Sequence, residues 1–102
     1  MRTHRFEMSL LNLPVTFFQE RKQWVAYTPV LDFSSAGDTL QEAQKNFGEA
    51  VRLFFEECLR KGTLEEVLKS CGWNKVSRPK PHFEPPANVL QSFQSVSVPI
   101  PA

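Results

Sequence analysis

Apolar and polar residues alternate from Leu11 onward: Leu11, Leu13, Val15 and Phe17 fall on one side, Asn12, Thr16 and Glu20 mostly on the other. Period-2 alternation rich in β-branched and aromatic residues predicts a half-buried strand. Pro14 has no amide hydrogen, so regular pairing should begin after it or leave that side open. The polar run 20–23 reverses the chain without a glycine, which leaves its turn type undetermined. Residues 24–28 predict a second short strand that Pro29 ends or bends, and residues 31–36 a third, closed by Gly37 and Asp38. Three short strands with short connections make an antiparallel meander.

The period then changes. Thr39-Leu40-Gln41-Glu42 reads as a capping box, followed by apolar residues at Leu40, Ala43, Phe47, Ala50, Val51, Phe54 and Cys58. Steps of three and four put them on one stripe of a long amphipathic helix running to about Lys61. Arg60 and Lys61 suit its C-terminal dipole, and Gly62 suits the position just past the last turn. Thr63-Leu64-Glu65-Glu66 repeats the box pattern and predicts a short second helix with Leu64, Val67, Leu68 and Cys71 inward, ended by Gly72. Six of the eight prolines fall between Pro79 and Pro101, so residues 78–86 predict an extended connector. Residues 95–101 alternate again, with Val96, Val98 and Ile100 opposite Ser95, Ser97 and Pro99. This predicts a terminal strand whose prolines confine it to an edge, its own or a partner's.

The expected architecture is α+β: a three-stranded antiparallel meander on one long helix, then a short helix and a C-terminal edge strand. Residues 1–10 read as an arm, 11–76 as the core, and 77–102 as proline-rich connector and terminal strand. A length of 102 residues fits one domain, and 41% apolar content with nine phenylalanines excludes a disordered chain. Twelve basic residues against eleven acidic ones point to no partner class. Two cysteines, Cys58 and Cys71, are too few for a disulfide scaffold and read as reduced, buried thiols. Neither a signal peptide nor a membrane span is evident, so a cytoplasmic location is expected.

Candidate chemistry is sparse. A sheet carrying a long helix resembles part of a ribonuclease-H-like fold, whose nuclease chemistry needs several converging carboxylates. The first strand centre, Val15-Thr16-Phe17-Phe18, has none, and Asp32 is the one acid in the strand candidates apart from Glu20 at a turn. Cys58, Cys71 and His82 match no metal-ligand spacing, and no metal or cofactor is expected. Lys75, Arg78, Lys80 and His82 form a short basic run that reads first as a solvated linker. Phe18 points opposite to Phe17, and Phe55 is rotated to the flank of the helix stripe. Such residues need a second cover or a subunit contact. Candidate contact residues are therefore Phe18, Trp24, Tyr27, Phe55, Val96, Val98 and Ile100.

The run Trp24-Val25-Ala26-Tyr27, then Pro29, then Gly37-Asp38-Thr39-Leu40-Gln41-Glu42-Ala43 resembles the HicB antitoxin family over about residues 13–61. Gly62-Thr63-Leu64-Glu65-Glu66-Val67-Leu68, Gly72-Trp73 and the Val-Pro-Ile-Pro tail look like a short subgroup of it. The resemblance implies a partial ribonuclease-H-like fold without nuclease residues. It also implies neutralisation of a small HicA-type RNA-cleaving toxin by protein contact, and homo-oligomers. Many members of the family carry a DNA-binding segment after this domain. A proline-rich tail cannot form one, so direct DNA binding is not expected. Two other roles fit the same residues: a stand-alone oligomeric structural or regulatory protein, and an RNA-binding module stacking bases on Trp24 and Tyr27.

Overall fold

The computed structural model describes residues 12–87 and 89–101; the arm expected at residues 1–10 lies outside them. The elements run β1 (Thr16–Glu20), β2 (Gln23–Thr28), β3 (Phe33–Gly37), α1 (Leu40–Lys61), α2 (Leu64–Ser70), β4 (Asn74–Val76) and β5 (His82–Glu84). β1, β2 and β3 form an antiparallel sheet in chain order, and β4 and β5 pair as a separate hairpin. The α+β class, the meander and the long-then-short helix order match the sequence reading. No helix among the described residues is long and apolar enough to cross a membrane.

The α1 start is fixed by its flanks. The Thr39 hydroxyl accepts from the Glu42 amide at 3.0 Å, and the Glu42 carboxylate accepts from the Asp38 amide at 2.9 Å. Gly37 is required there for space: a β-carbon on it would lie 2.6 Å from the Ala43 nitrogen and 2.7 Å from the Glu42 β-carbon. The first turn of α1 therefore rests directly on the end of β3. Past the helix, Gly62 takes φ 72°, and the Gly62 and Thr63 amides donate to the Leu59 and Cys58 carbonyls. This pattern closes the last turn.

The core joins Ala26, Val30, Leu31, Phe47, Val51, Leu68 and Trp73. A line of edge-on and tilted rings runs Phe47–Phe33–Phe54–Phe55–Trp73, with centroid spacings of 6.2, 5.5, 5.9 and 6.3 Å. At its end the buried Trp73 indole N–H donates to the Val30 carbonyl at 2.8 Å. That bond ties the end of α2 to the turn between β2 and β3.

Four expectations are corrected. The third strand starts at Phe33, not residue 31, because residues 29–32 form a turn with Asp32 at φ 48°. Val30 and Leu31 are buried from within that turn, which made them look like strand residues. The second capping box does not close: Thr63 makes no side-chain cap bond. Its amide is already engaged by Cys58, and φ −107°, ψ 1° is not the extended geometry a capping hydroxyl needs. The connector expected at residues 78–86 contains β5, paired back onto β4. Finally, residues 95–101 enter no ladder with the described strands. Pro99 and Pro101 lack donors, and no described edge runs alongside them.

Two substitutions test this account. Gly37→Ala should destabilise the chain by about 1–3 kcal/mol through overpacking, seen as a lower urea midpoint by circular dichroism. Trp73→Phe should cost about 1–3 kcal/mol, because the Val30 carbonyl is left buried and unpaired. A wild-type midpoint in either variant would show that the contact carries no load.

Candidate functional site

Strand register assigns every sheet residue to a face. Phe17 pairs with Ala26 and Gln19 with Trp24, while Ser35, Gly37 and Phe33 oppose Ala26, Trp24 and Thr28. These side chains share the face that α1 covers. Thr16, Phe18, Val25, Tyr27, Ser34 and Ala36 share the other. Phe18 is 43% exposed there, with Val25 and Ala36 half-buried beside it. An open groove of about 690 Å³ runs along this outer face, between Val25 and Ala36 and the β1–β2 turn residues Glu20, Arg21, Lys22 and Gln23. Arg21 turns the hairpin with φ 59°, in place of the glycine that the sequence lacks there.

Tyr27 closes one end of the outer face. Its hydroxyl donates to Asp32 at 2.9 Å. That bond first, then burial and the carboxylate charge, hold the phenol above its ordinary value of 10.0. Asp32 is thereby engaged as an acceptor in the turn.

The candidate contact residues do not form one patch. Phe18 and Tyr27 lie on the outer face, whereas Trp24 lies on the helix face, half-buried opposite Gly37. Phe55 is half-buried, edge-on between Phe54 and Trp73. Val96, Val98 and Ile100 project from the C-terminal segment at 67%, 61% and 78% exposure. Val89, Leu90 and Phe93 extend the same exposed strip.

Two contacts were not evident from the sequence. The Thr16 hydroxyl meets the Gln91 side-chain oxygen at 3.0 Å, which brings the C-terminal segment beside the first residue of β1. The Asn46 amide donates to the Ala36 carbonyl at 2.9 Å, which joins α1 to the edge strand β3. Asn46 lies on the polar side of the helix pattern, where only the three-dimensional path of β3 supplies its partner.

The basic run is partly neutralised in place. Lys75 and Lys69 both reach Glu65, at 3.3 and 3.1 Å, and hold its carboxyl below the ordinary value, with the Lys69 hydrogen bond the largest cause. His82 sits 2.6 Å from the Lys80 carbonyl through Nδ1 and 3.1 Å from Glu84 through Nε2. Cys58 is a free, buried thiol on α1, and Cys71 a free, half-buried one just past α2. No group of three His, Cys, Asp or Glu side chains among the described residues is placed to hold a metal.

Comparison with family models, with curated proteins and with solved structures finds no match to this chain.

The His82 contacts give a pH prediction. The Lys80 carbonyl first, then Glu84, raise the imidazole above its ordinary 6.5. A raised folded value stabilises the β4–β5 hairpin fully below the unfolded value, and that contribution is lost as pH rises through the folded one. In an NMR titration the His82 ring should have a midpoint above that of an unfolded-chain histidine, and Glu84→Gln should lower it. A wild-type midpoint at the unfolded value would remove the hairpin contact.

Proposed function

We propose that this chain is a protein-binding module of the antitoxin kind, acting in the cytoplasm and catalysing no reaction. Its partner in this reading is a small HicA-type RNA-cleaving toxin, neutralised by covering the toxin's active surface. The observation that carries the reading is the strip of large apolar side chains over residues 89–101, from Val89 to Ile100, all 45% exposed or more. Water contact with so many apolar side chains is unfavourable, and contiguous exposed apolar patches mark association surfaces. The Gly37-Asp38-Thr39 start that carries the family resemblance also has a defined role, joining β3 to α1. Contact through shape and apolar surface, more than charge steering, suits a chain with twelve basic and eleven acidic residues.

A stand-alone oligomeric protein would draw on the same strip, and an inhibition assay separates the two. Mixed with a HicA-type toxin encoded beside it, the chain should form a complex that survives gel filtration and should stop RNA cleavage. Cleavage that continues at large molar excess, with no complex formed, would end the antitoxin reading.

A further inference from the structure

We propose that the outer face of the β1–β3 sheet binds single-stranded RNA, with bases stacked on Phe18 and Tyr27 and the backbone held by Arg21 and Lys22 at the β1–β2 turn.

Register fixes the layout of that face. Phe18 stands opposite Val25, Val25 opposite Ala36, and Tyr27 opposite both Thr16 and Ser34. Phe18 and Tyr27 are therefore diagonal neighbours on adjacent strands, roughly 7–8 Å apart. Bases in a helical stack follow one another at roughly 3.4 Å. Two rings at the wider spacing suit bases splayed from a single strand, which is how sheets bearing aromatic residues read RNA. The core and α1 occupy the opposite face, and Phe18 is 43% exposed on this one. The Tyr27 hydroxyl donates to Asp32 at 2.9 Å, which limits the swing of its half-buried ring. Trp24, the other ring suggested by the sequence, is half-buried on the helix face opposite Gly37 and cannot meet the same strand. Phe18 takes its place.

The outer groove of about 690 Å³ runs from Val25 and Ala36, beside Phe18, to the hairpin turn. Its small apolar floor leaves room for a flat base, and Arg21 and Lys22 stand at its turn end. Both cations are exposed, and among the described residues neither enters an ion pair, unlike Arg52, Arg60, Lys61, Lys69 and Lys75. Cations beside exposed rings are the pairing that a phosphate backbone with splayed bases requires. An acidic peptide would use the charges and leave the rings idle. The exposed Ser34 hydroxyl, next to Tyr27, can bond a ribose 2′-hydroxyl, the group that distinguishes RNA from DNA. An enclosed pocket would bury most of a single small nucleotide; an open groove suits a chain passing over it.

Glu20 also lines the groove, and Asp38 lies 3.4 Å from the Gln23 amide at the same end. The positive excess is therefore small, and stacking has to contribute as much as charge. This surface is separate from the residue 89–101 strip, and the inference does not rest on the antitoxin reading.

The test follows fluorescence polarisation of a labelled oligouridine with the full chain at low salt, with circular dichroism to confirm that each variant folds. Wild-type affinity should fall as salt rises, with a log–log slope of roughly −1.4 for two single-strand phosphate contacts. Arg21→Gly keeps the turn, since φ 59° is readily adopted by glycine, and should cut that slope by about half. Phe18→Ala should weaken binding roughly tenfold, Phe18→Trp should restore it, and Glu20→Gln should tighten it. Lys61→Gln removes a cation at the C-terminal end of α1 and should change nothing. Oligothymidine should bind more weakly than oligouridine. No binding by the wild-type chain, an unchanged Phe18→Ala variant, or equal losses for Arg21→Gly and Lys61→Gln would overturn the proposal. So would equal binding of oligothymidine, or displacement of the RNA by polyglutamate as readily as by unlabelled oligouridine. No toxin enters this experiment, so its failure and the failure of the antitoxin reading are separate results.

Discussion

The apolar stripe of α1 lies on one face of the β1–β3 sheet, and a single helix can cover no more than that face. Ala43, Phe47, Val51 and Cys58 bury on it, while Phe18, Val25 and Ala36 are left to the outside. The contact is tight where it begins, since Gly37 has no room for a β-carbon beneath the first helical turn. That close approach sets where α1 leaves the sheet and hence which strand edge it shields. Asn46 reaches Ala36 because the helix passes beside β3 at that depth. β1, farthest from the crossover, keeps its outer edge free of described strands.

The second half of the chain is held by fewer points. α2 contributes Leu68, 1% exposed, and just past its end Trp73, 3% exposed, reaches the turn before β3. The ring line from Phe47 to Trp73 carries the core continuously from sheet to α1 to the end of α2. Beyond β5 that support ends, and residues 89–101 are all exposed. A short chain with one core has a limited apolar surface to offer such a segment.

Much of this was legible in the sequence, and the failures have physical causes. α1 was clear from its box, its three-and-four spacing and Gly62, because local geometry alone dictates those signals. β1 and β2 were clear once Pro14 was allowed to delay pairing. The β3 start was misplaced because Val30 and Leu31 are apolar and buried, and burial from a turn looks the same in one dimension as burial from a strand. Thr63 carries a capping sequence, yet its backbone is already committed to closing α1; one residue cannot serve both geometries. β4 and β5 have three residues each, too few to show a period, so Lys75 and His82 read as linker. Of the candidate contact residues, the period-2 rule gave Phe18 its face, but the register that sets Trp24 opposite Gly37 on the helix face was invisible. Phe55 looked peripheral on the helix stripe because Trp73, its neighbour in space, is eighteen positions away in sequence.

The tail shows why a residue pattern can be right about local form and silent about partners. Alternation at residues 95–101 predicts a strand, but a strand exists only where another supplies hydrogen bonds, and no described strand supplies them. Prolines at two odd positions do not make the segment unfit for pairing; they restrict it to one side. That restriction has a consequence for order. A segment with one fully competent edge extends a sheet by a single strand more readily than by two, because Pro99 and Pro101 remove two of the four donors of the next edge. Open-ended stacking, the hazard of an exposed apolar strand, is disfavoured by the same two prolines that confine the strand to an edge. The arrangement therefore favours a closed assembly over a growing one, whichever protein provides the receiving edge.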